Sequence, residues 1–332
     1  LGFSGKQDIE KYGVAEFNAK CRESVMRHVD AFADLTTRMG YWVDMDSAYW
    51  TMDPNYIQSV WWSLKQIFNA GLLVQDHRVS PYCPRCGTGL SDHELAQGYE
   101  DVVDPSVFVR FPVTQGTLAS KYSDLSLLVW TTTPWTLVSN TAIAVKPTAI
   151  YNVVSYEGQH YVVAQDLVED LFGAPIGAEG EDGEEGIARY QIMETLSGTE
   201  LERVGYQRPF ELIDIPQSHF VILADYVTTD DGTGLVHQAP AFGADDLISC
   251  RAYGLPVVNP IAPDGTFMPD TPLIGGQFFK TADTTLTEDL RTRGLLFREE
   301  PYEHSYPHCW RCHTPLIYYA QPSWYIKTTA IK

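Results

Sequence analysis

The feature that most restricts how this chain can fold is a short pattern written twice. "YCPRCGTGL", around Cys83 and Cys86, and "HCWRCHTPL", around Cys309 and Cys312, both obey C-x-R-C-x-T-x-L, and each follows a turn containing Tyr and Pro. Two such knuckles can supply four thiolates to one tetrahedral Zn2+. A shared ion would bring residues near 85 and near 310 together, so that the stretch between Cys86 and Cys309, which lie 223 positions apart, forms one large excursion from a neck. A redox dithiol usually opens a helix after a strand, and a disulfide is rarely kept in a reducing compartment. Neither of these rivals explains the duplication. Four thiolates leave no open position for water, so the ion would be structural. His308 and His313 flank the second pair and could replace a ligand, although exposed or supporting roles suit them better; Cys21 and Cys250 stand alone.

With 332 residues the chain exceeds the size at which one hydrophobic core usually stops growing, and 44% apolar residues suffice for well-packed cores. No run approaches the roughly 18 apolar residues of a membrane span, and the start lacks a signal-peptide pattern. A cytoplasmic protein without membrane contact, and a monomer, is the expectation. The absence of an initial Met and the unclosed strand-like end "SWYIKTTAIK" suggest cuts through a longer polypeptide. A net charge of -20 argues against a general nucleic-acid binder, because neutralising phosphates takes clustered Lys and Arg. Part of that excess lies in "GAEGEDGEEG", Gly177 to Gly186, which reads as a solvated loop.

The first arm is helical. Apolar residues recur at helical spacing through "GVAEFNAKCRESVMRHVDAFADLTTRMG" up to Gly40, and a second helix follows in "DPNYIQSVWWSLKQIFNAG", with Asp53 as N-cap, Pro54 at the first position and Gly71 as stop. Trp61 and Trp62 are then expected to pack in a core. After Tyr99 the texture becomes short β-branched or alternating runs such as "SVFVRFPV", "AIAVKP" and "IYNVVSYEGQHYVVA", broken by Gly, Pro and Asp. "TADTTLTEDLRTRGLL" predicts a helix near the end of this region. The expected fold class is α+β: a β-rich domain, barrel or sandwich, over residues 101–298, inserted between a first neck arm, 1–100, and a return arm, 299–332.

Two dense patches carry chemistry. "WTTTPWT", Trp130 to Thr136, places three consecutive threonines between two tryptophans, which could be no more than a hydroxyl-rich edge strand. "GTGLVHQAPAFGADD", Gly232 to Asp246, has a glycine-bracketed turn into a short strand ending at His237, then a Pro/Gly loop leading to Asp245 and Asp246. No GxSxG elbow or Ser-His-Asp arrangement is visible, and neither is a Gly-rich phosphate loop.

Together these patches and the two knuckles make the whole chain resemble the editing insertion, with its zinc-bearing neck, of the isoleucyl-tRNA synthetases, a family of class I synthetases. The valyl and leucyl relatives carry an Arg in the corresponding threonine-rich segment, where this chain has Pro134 and Trp135. A valyl-type module, which would edit threonine, is therefore the second choice, and a zinc-organised RNA-docking module without hydrolysis is the third. The resemblance implies hydrolysis of valine wrongly attached to the isoleucine tRNA, whose terminal adenosine would enter the barrel-like domain. It implies that Thr131, Thr132 and Thr133 surround the terminal ribose and the ester, with Trp135 and Asn140 in the pocket and its support. Asp246 would pair with the substrate's α-ammonium, and His237 would line the side-chain pocket and help exclude isoleucine. Cys83, Cys86, Cys309 and Cys312 would hold the zinc. HIGH-type and KMSKS-type signatures are absent from this sequence, so ATP would be used by the remainder of the synthetase, in cis.

Overall fold

A computed structural model describes residues 1–3, 5–173 and 190–331. The acidic run at Gly177 to Gly186 lies outside the described residues. The chain divides into two units, Leu1–Arg78 with Gln321–Lys332, and Val79–Ala320.

The smaller unit carries helices α1 (Lys6–Tyr12), α2 (Val14–Met26), α3 (Val29–Arg38) and α4 (Pro54–Asn69). The helical run expected up to Gly40 is thus broken at Arg27 and His28. Pro54 opens α4 and Asp53 occupies its N-cap, although the Asp53 carboxylate caps no amide of the first turn. Gly40 and Gly71 follow α3 and α4 with φ of 72° and 70°, the left-handed conformation in which helices commonly stop. No residue of α2, α3 or α4 is buried. Trp61 and Trp62, expected in a core, are 67% and 65% exposed. Helical spacing marks an apolar face, but it does not supply the surface that would cover it.

The chain passes from the smaller unit to the larger along β1 (Leu73–Cys83). There follow β2 (Thr88–Gly89), α5 (Asp92–Ala96), β3 (Tyr99–Gln115), α6 (Thr117–Lys121), β4 (Leu125–Thr131), β5 (Ala142–Val145), β6 (Ile150–Tyr156), β7 (Gln159–Ala164) and α7 (Val168–Phe172). Beyond the undescribed segment come β8 (Gln191–Ser197), β9 (Gly205–Tyr206), β10 (Phe220–Leu223), β11 (Leu235–Gln238), α8 (Ala244–Ala252), α9 (Phe279–Thr292), β12 (Leu296–Pro307) and β13 (Ile317–Ile326). A short 3-10 helix, Pro134–Ser139, follows β4.

The sheet runs in the order β11-β5-β10-β9-β3-β4-β7-β6-β8, with β12 also paired to β3. The expected barrel is therefore an open mixed sheet, part of a mixed α/β architecture. Its shape follows from β3, which pairs β12 from Tyr99 to Val109 and β4 from Val107 to Pro112. Only the end of β3 pairs β9, across an irregularity between Val113 and Gln115. Such irregularities add local twist, and the path of the sheet ends at the strands β11 and β8. Val107, Phe111, Leu127, Ile143 and Val153 are fully buried on it. The helix α9 covers this core with Phe279, Ala282, Leu286 and Leu290. Each large side chain buried in this way stabilises the fold by about 1.5–3 kcal/mol.

Candidate functional site

The threonine segment begins where β4 must end. The Thr131 hydroxyl accepts the Thr133 amide at 3.1 Å, a local turn that competes with the ladder, and Pro134 has no amide to continue it. The chain enters the Pro134–Ser139 turn, every residue of which is buried. Trp135 packs edge-on against Phe242 and Phe279, at 4.7 and 4.9 Å between ring centroids. Its backbone amide donates to the Asp283 carboxylate at 2.7 Å. Thr131 is buried, and Thr132 and Thr133 are half-buried.

The second motif meets the first through His237. Two glycines set the approach: Gly234 has φ of 74°, and a side chain on it would stand 2.3 Å from the Ala164 methyl. The turn therefore needs glycine, and it places β11 antiparallel to β5 with His237 opposite Ile143. The Asn140 amide group donates to the Ala142 carbonyl at 3.0 Å and lies 2.9 Å from His237 Nδ1, so Nδ1 is the acceptor. The proton then sits on Nε2, which donates to the Thr136 hydroxyl at 2.9 Å, and that hydroxyl donates to the Thr133 carbonyl at 2.8 Å. The Thr133 hydroxyl lies 3.2 Å from those of both Thr131 and Thr136, which continues the chain to the strand end. Tyr206 closes the other side by donating to Asn140 Oδ1 at 2.8 Å. Burial pushes the His237 imidazole down to about 3, so it is neutral at physiological pH.

Asp246 lies on the first turn of α8, half-buried, and accepts the Ala239 amide at 2.7 Å, which ties the loop after β11 to the helix. A side chain on Gly243 would collide with its carboxylate, at 2.5 Å from Cγ. Burial, with Asp245 adding to it, raises the Asp246 carboxyl to about 6. The structure thus joins Thr131, Thr133, Asn140 and His237 in one hydrogen-bonded network, places Trp135 against Phe242 from the His237 loop, and links Asp246 to that loop. Thr136, Tyr206 and Asp283 take part as well and were not singled out from the sequence. Asp283 did leave a trace: it falls on the apolar stripe of α9 beside Phe279, Ala282 and Leu286.

The four cysteines of the two knuckles form a separate cluster, with all four sulfur atoms within 4.8 Å of one another. Cys312 Sγ is 3.6 Å from those of both Cys83 and Cys86. Tetrahedral Zn–S bonds of about 2.3 Å put sulfurs about 3.8 Å apart, so the donor set fits such an ion. The knuckles match in backbone as well as in sequence, for the residues after Cys86 and Cys312, Gly87 and His313, both have positive φ, 66° and 55°. Their amides turn back to the carbonyls of Cys83 and Cys309 at 2.9 and 2.8 Å. His313 is exposed and bonded to Glu100, and His308 Nδ1 faces the Tyr306 carbonyl. The candidate ligands are the cysteines.

A family model of class I tRNA synthetases (I, L, M and V) matches residues 1–332, and the chain belongs to that family. Within it the likeness is to the isoleucine–tRNA ligases. The chain is 67% identical to that of Streptomyces coelicolor and 46% identical to that of Thermus thermophilus, in each case over all of this chain and 30% of the relative. It therefore spans about 30% of the length of these curated relatives. Among solved structures, GlLeuRS-CP1 aligns with 59% of this chain and 98% of its own at 16% identity and a TM-score of 0.44. The P. knowlesi cytosolic leucyl-tRNA synthetase editing domain aligns with 63% and 99% at 11% identity and 0.43. The family assignment rests on the sequence match and not on these likenesses.

Proposed function

We propose that this chain is the editing portion of an isoleucine–tRNA ligase, and that it removes valine esterified to the isoleucine tRNA. The observation that carries the reading is the bonding of the threonine segment to His237, through Thr136 and Asn140, on the loop that Asp246 anchors. The 3' end of the tRNA is the substrate. The remainder of the synthetase acts in cis and performs the ATP-dependent attachment of isoleucine. The protein works in the cytoplasm as a monomer.

An aminoacyl ester is already activated, so water adds to its carbonyl carbon without a protein nucleophile. The bond to the ribose oxygen breaks and that oxygen takes a proton. His237 is a poor base because Asn140 already occupies Nδ1 and burial disfavours its charged form. Its role is to hold the Thr136 and Thr133 groups and to form a wall of the pocket, while Thr131, Thr132 and Thr133 offer donors to the ribose and the developing oxyanion. Asp246, above its titration at neutral pH, pairs with the α-ammonium and orients the ester. One methylene is worth about 1–3 kcal/mol of discrimination, a figure established for isoleucine against valine in this family rather than derived from this structure. A second, hydrolytic sieve follows from that limit.

We assign zinc to the four cysteines, where four thiolates make it a structural pin between the knuckles. The test of the function is hydrolysis of valyl-tRNA and isoleucyl-tRNA, both on the isoleucine tRNA, by this chain and by Asp246→Ala. Selective release of valine, lost in the variant, supports the reading; equal release of both amino acids, or none, overturns it.

A further inference from the structure

We infer that Asp283, on α9, is a positioning residue for the threonine segment: it caps the Pro134–Ser139 turn from outside, which leaves the Thr133 hydroxyl to the site. This inference rests on the editing reading above.

A helical turn begins with unsatisfied amides, and the residue at its N-cap normally answers one of them with its own side chain. Here the N-cap is Thr133, a residue type well suited to the task, yet its side chain makes no capping bond. The Thr133 hydroxyl instead stands between those of Thr131 and Thr136, 3.2 Å from each. The open amide, that of Trp135, is answered by Asp283 Oδ1 at 2.7 Å from 148 positions along the chain. Asp283 is buried, as is Trp135, so water cannot replace this acceptor. Phe279, one turn before Asp283 on α9, packs on the Trp135 ring. One helix therefore grips Trp135 by both its ring and its amide. Lys280, on the same turn as Asp283, pairs with Asp104 of β3 and lies 3.9 Å from the centre of the Tyr306 ring of β12, which fixes α9 on the sheet.

Were the cap lost, the nearest replacement is the Thr133 hydroxyl itself, turned inward to the start of its own helix. It would then leave the relay from Thr131 to Thr136, and the turn would shift at the place where the ester is held. A shift of the order of 1 Å at a positioned reactant can cost about 100-fold in rate. Asparagine keeps a carbonyl oxygen at the same place, and alanine does not.

The test is valyl-tRNA hydrolysis by the unaltered chain, Asp283→Ala and Asp283→Asn, with kcat and KM separated, together with hydrogen exchange at the Trp135 amide. The expected result is a kcat lower by about 10- to 100-fold in Asp283→Ala with KM changed less than about threefold, and recovery to within about threefold in Asp283→Asn. The Trp135 amide should exchange slowly in the unaltered chain and fast in Asp283→Ala. If the unaltered chain is active and a folded Asp283→Ala matches it, or if Asp283→Asn is as impaired as alanine, the inference is overturned and the editing reading stands. A Trp135 amide that exchanges freely in the unaltered chain overturns the cap whatever the activity. An unaltered chain that fails to release valine overturns the editing reading, and the positioning role falls with it.

Discussion

In the larger unit Tyr151, Phe111 and Phe279 have essentially no exposure, whereas in the smaller one Trp42 is 97% exposed and the helices α2 to α4 bury nothing. Both regions are written with similar amounts of apolar sequence, and both form the elements that their periodicity predicts. The difference lies in whether the apolar faces find one another. In the larger unit a long strand, β3, pairs β4, β9 and β12 and gives the elements around it a surface on which to pack. In the smaller unit the described residues offer none, and the aromatic side chains of α4 face outward. Amphipathic spacing is therefore a statement about an element, and burial is a statement about its partners.

This contrast can be broken by experiment. The largest effect should come from the metal: Cys309→Ser, or chelation, is expected to destabilise the larger unit by on the order of 5 kcal/mol or more, because metal binding and folding are one free energy at such sites. Metal analysis should find one zinc per chain, and thermal melting should read the loss. If hydrogen exchange shows α2 to α4 opening together with the larger unit, the two regions are not energetically separate. Phe279→Ala should come next, with a loss of about 3–5 kcal/mol in urea unfolding, because it empties a fully buried site beneath Trp135.

A smaller effect should appear with pH. Burial, partly offset by the Trp135 amide and by Lys280 and reinforced by Asp104, raises the Asp283 carboxyl from 3.8 to about 8. The folded chain then holds a proton that the unfolded chain releases, so stability should fall as pH rises from about 4 to about 8. Asp246, raised to about 6, contributes in the lower half of that window. Asp283→Asn should flatten the upper half, by about 1–2 kcal/mol between pH 6 and 8.5 in urea midpoints. The smallest effect belongs to the smaller unit, where Trp61→Ala should change stability by under about 0.5 kcal/mol in this chain. A loss as large as that of Phe279→Ala would mean that α4 is covered after all.

Much of the larger unit could be read from its sequence. The runs "AIAVKP" and "IYNVVSYEGQHYVVA" became β5 and the hairpin of β6 and β7, because alternation and Gly-marked turns are local signals. The knuckles were legible because their pattern is doubled, and the two glycines before His237 announced a turn that only glycine can make. The open sheet was not legible, since the order in which strands pair, such as β3 with β12 from about 200 positions away, is not a local signal. Nor was the partner of the threonine segment. Thr131 to Thr133 stood out as a run, but Tyr206 and Asp283 are single residues whose meaning lies in contacts 66 and 148 positions away. For Asp283 the helical period held the missing clue, an acid on a stripe of Phe, Ala and Leu.

The separation of 226 positions from Cys86 to Cys312 also imposes an order in time. At a synthesis rate of about 5–20 residues per second, the first knuckle waits roughly 11–45 s before the last of its partner sulfurs has been made. Throughout that interval Cys83 and Cys86 are a bare dithiol on a growing chain, open to oxidation or to a borrowed metal. The threonine segment waits as well, first for His237 and then for Asp283. A ribosome-bound intermediate therefore carries the hairpin of β6 and β7 before it carries a site, and the sulfur clasp closes only near the end of the larger unit.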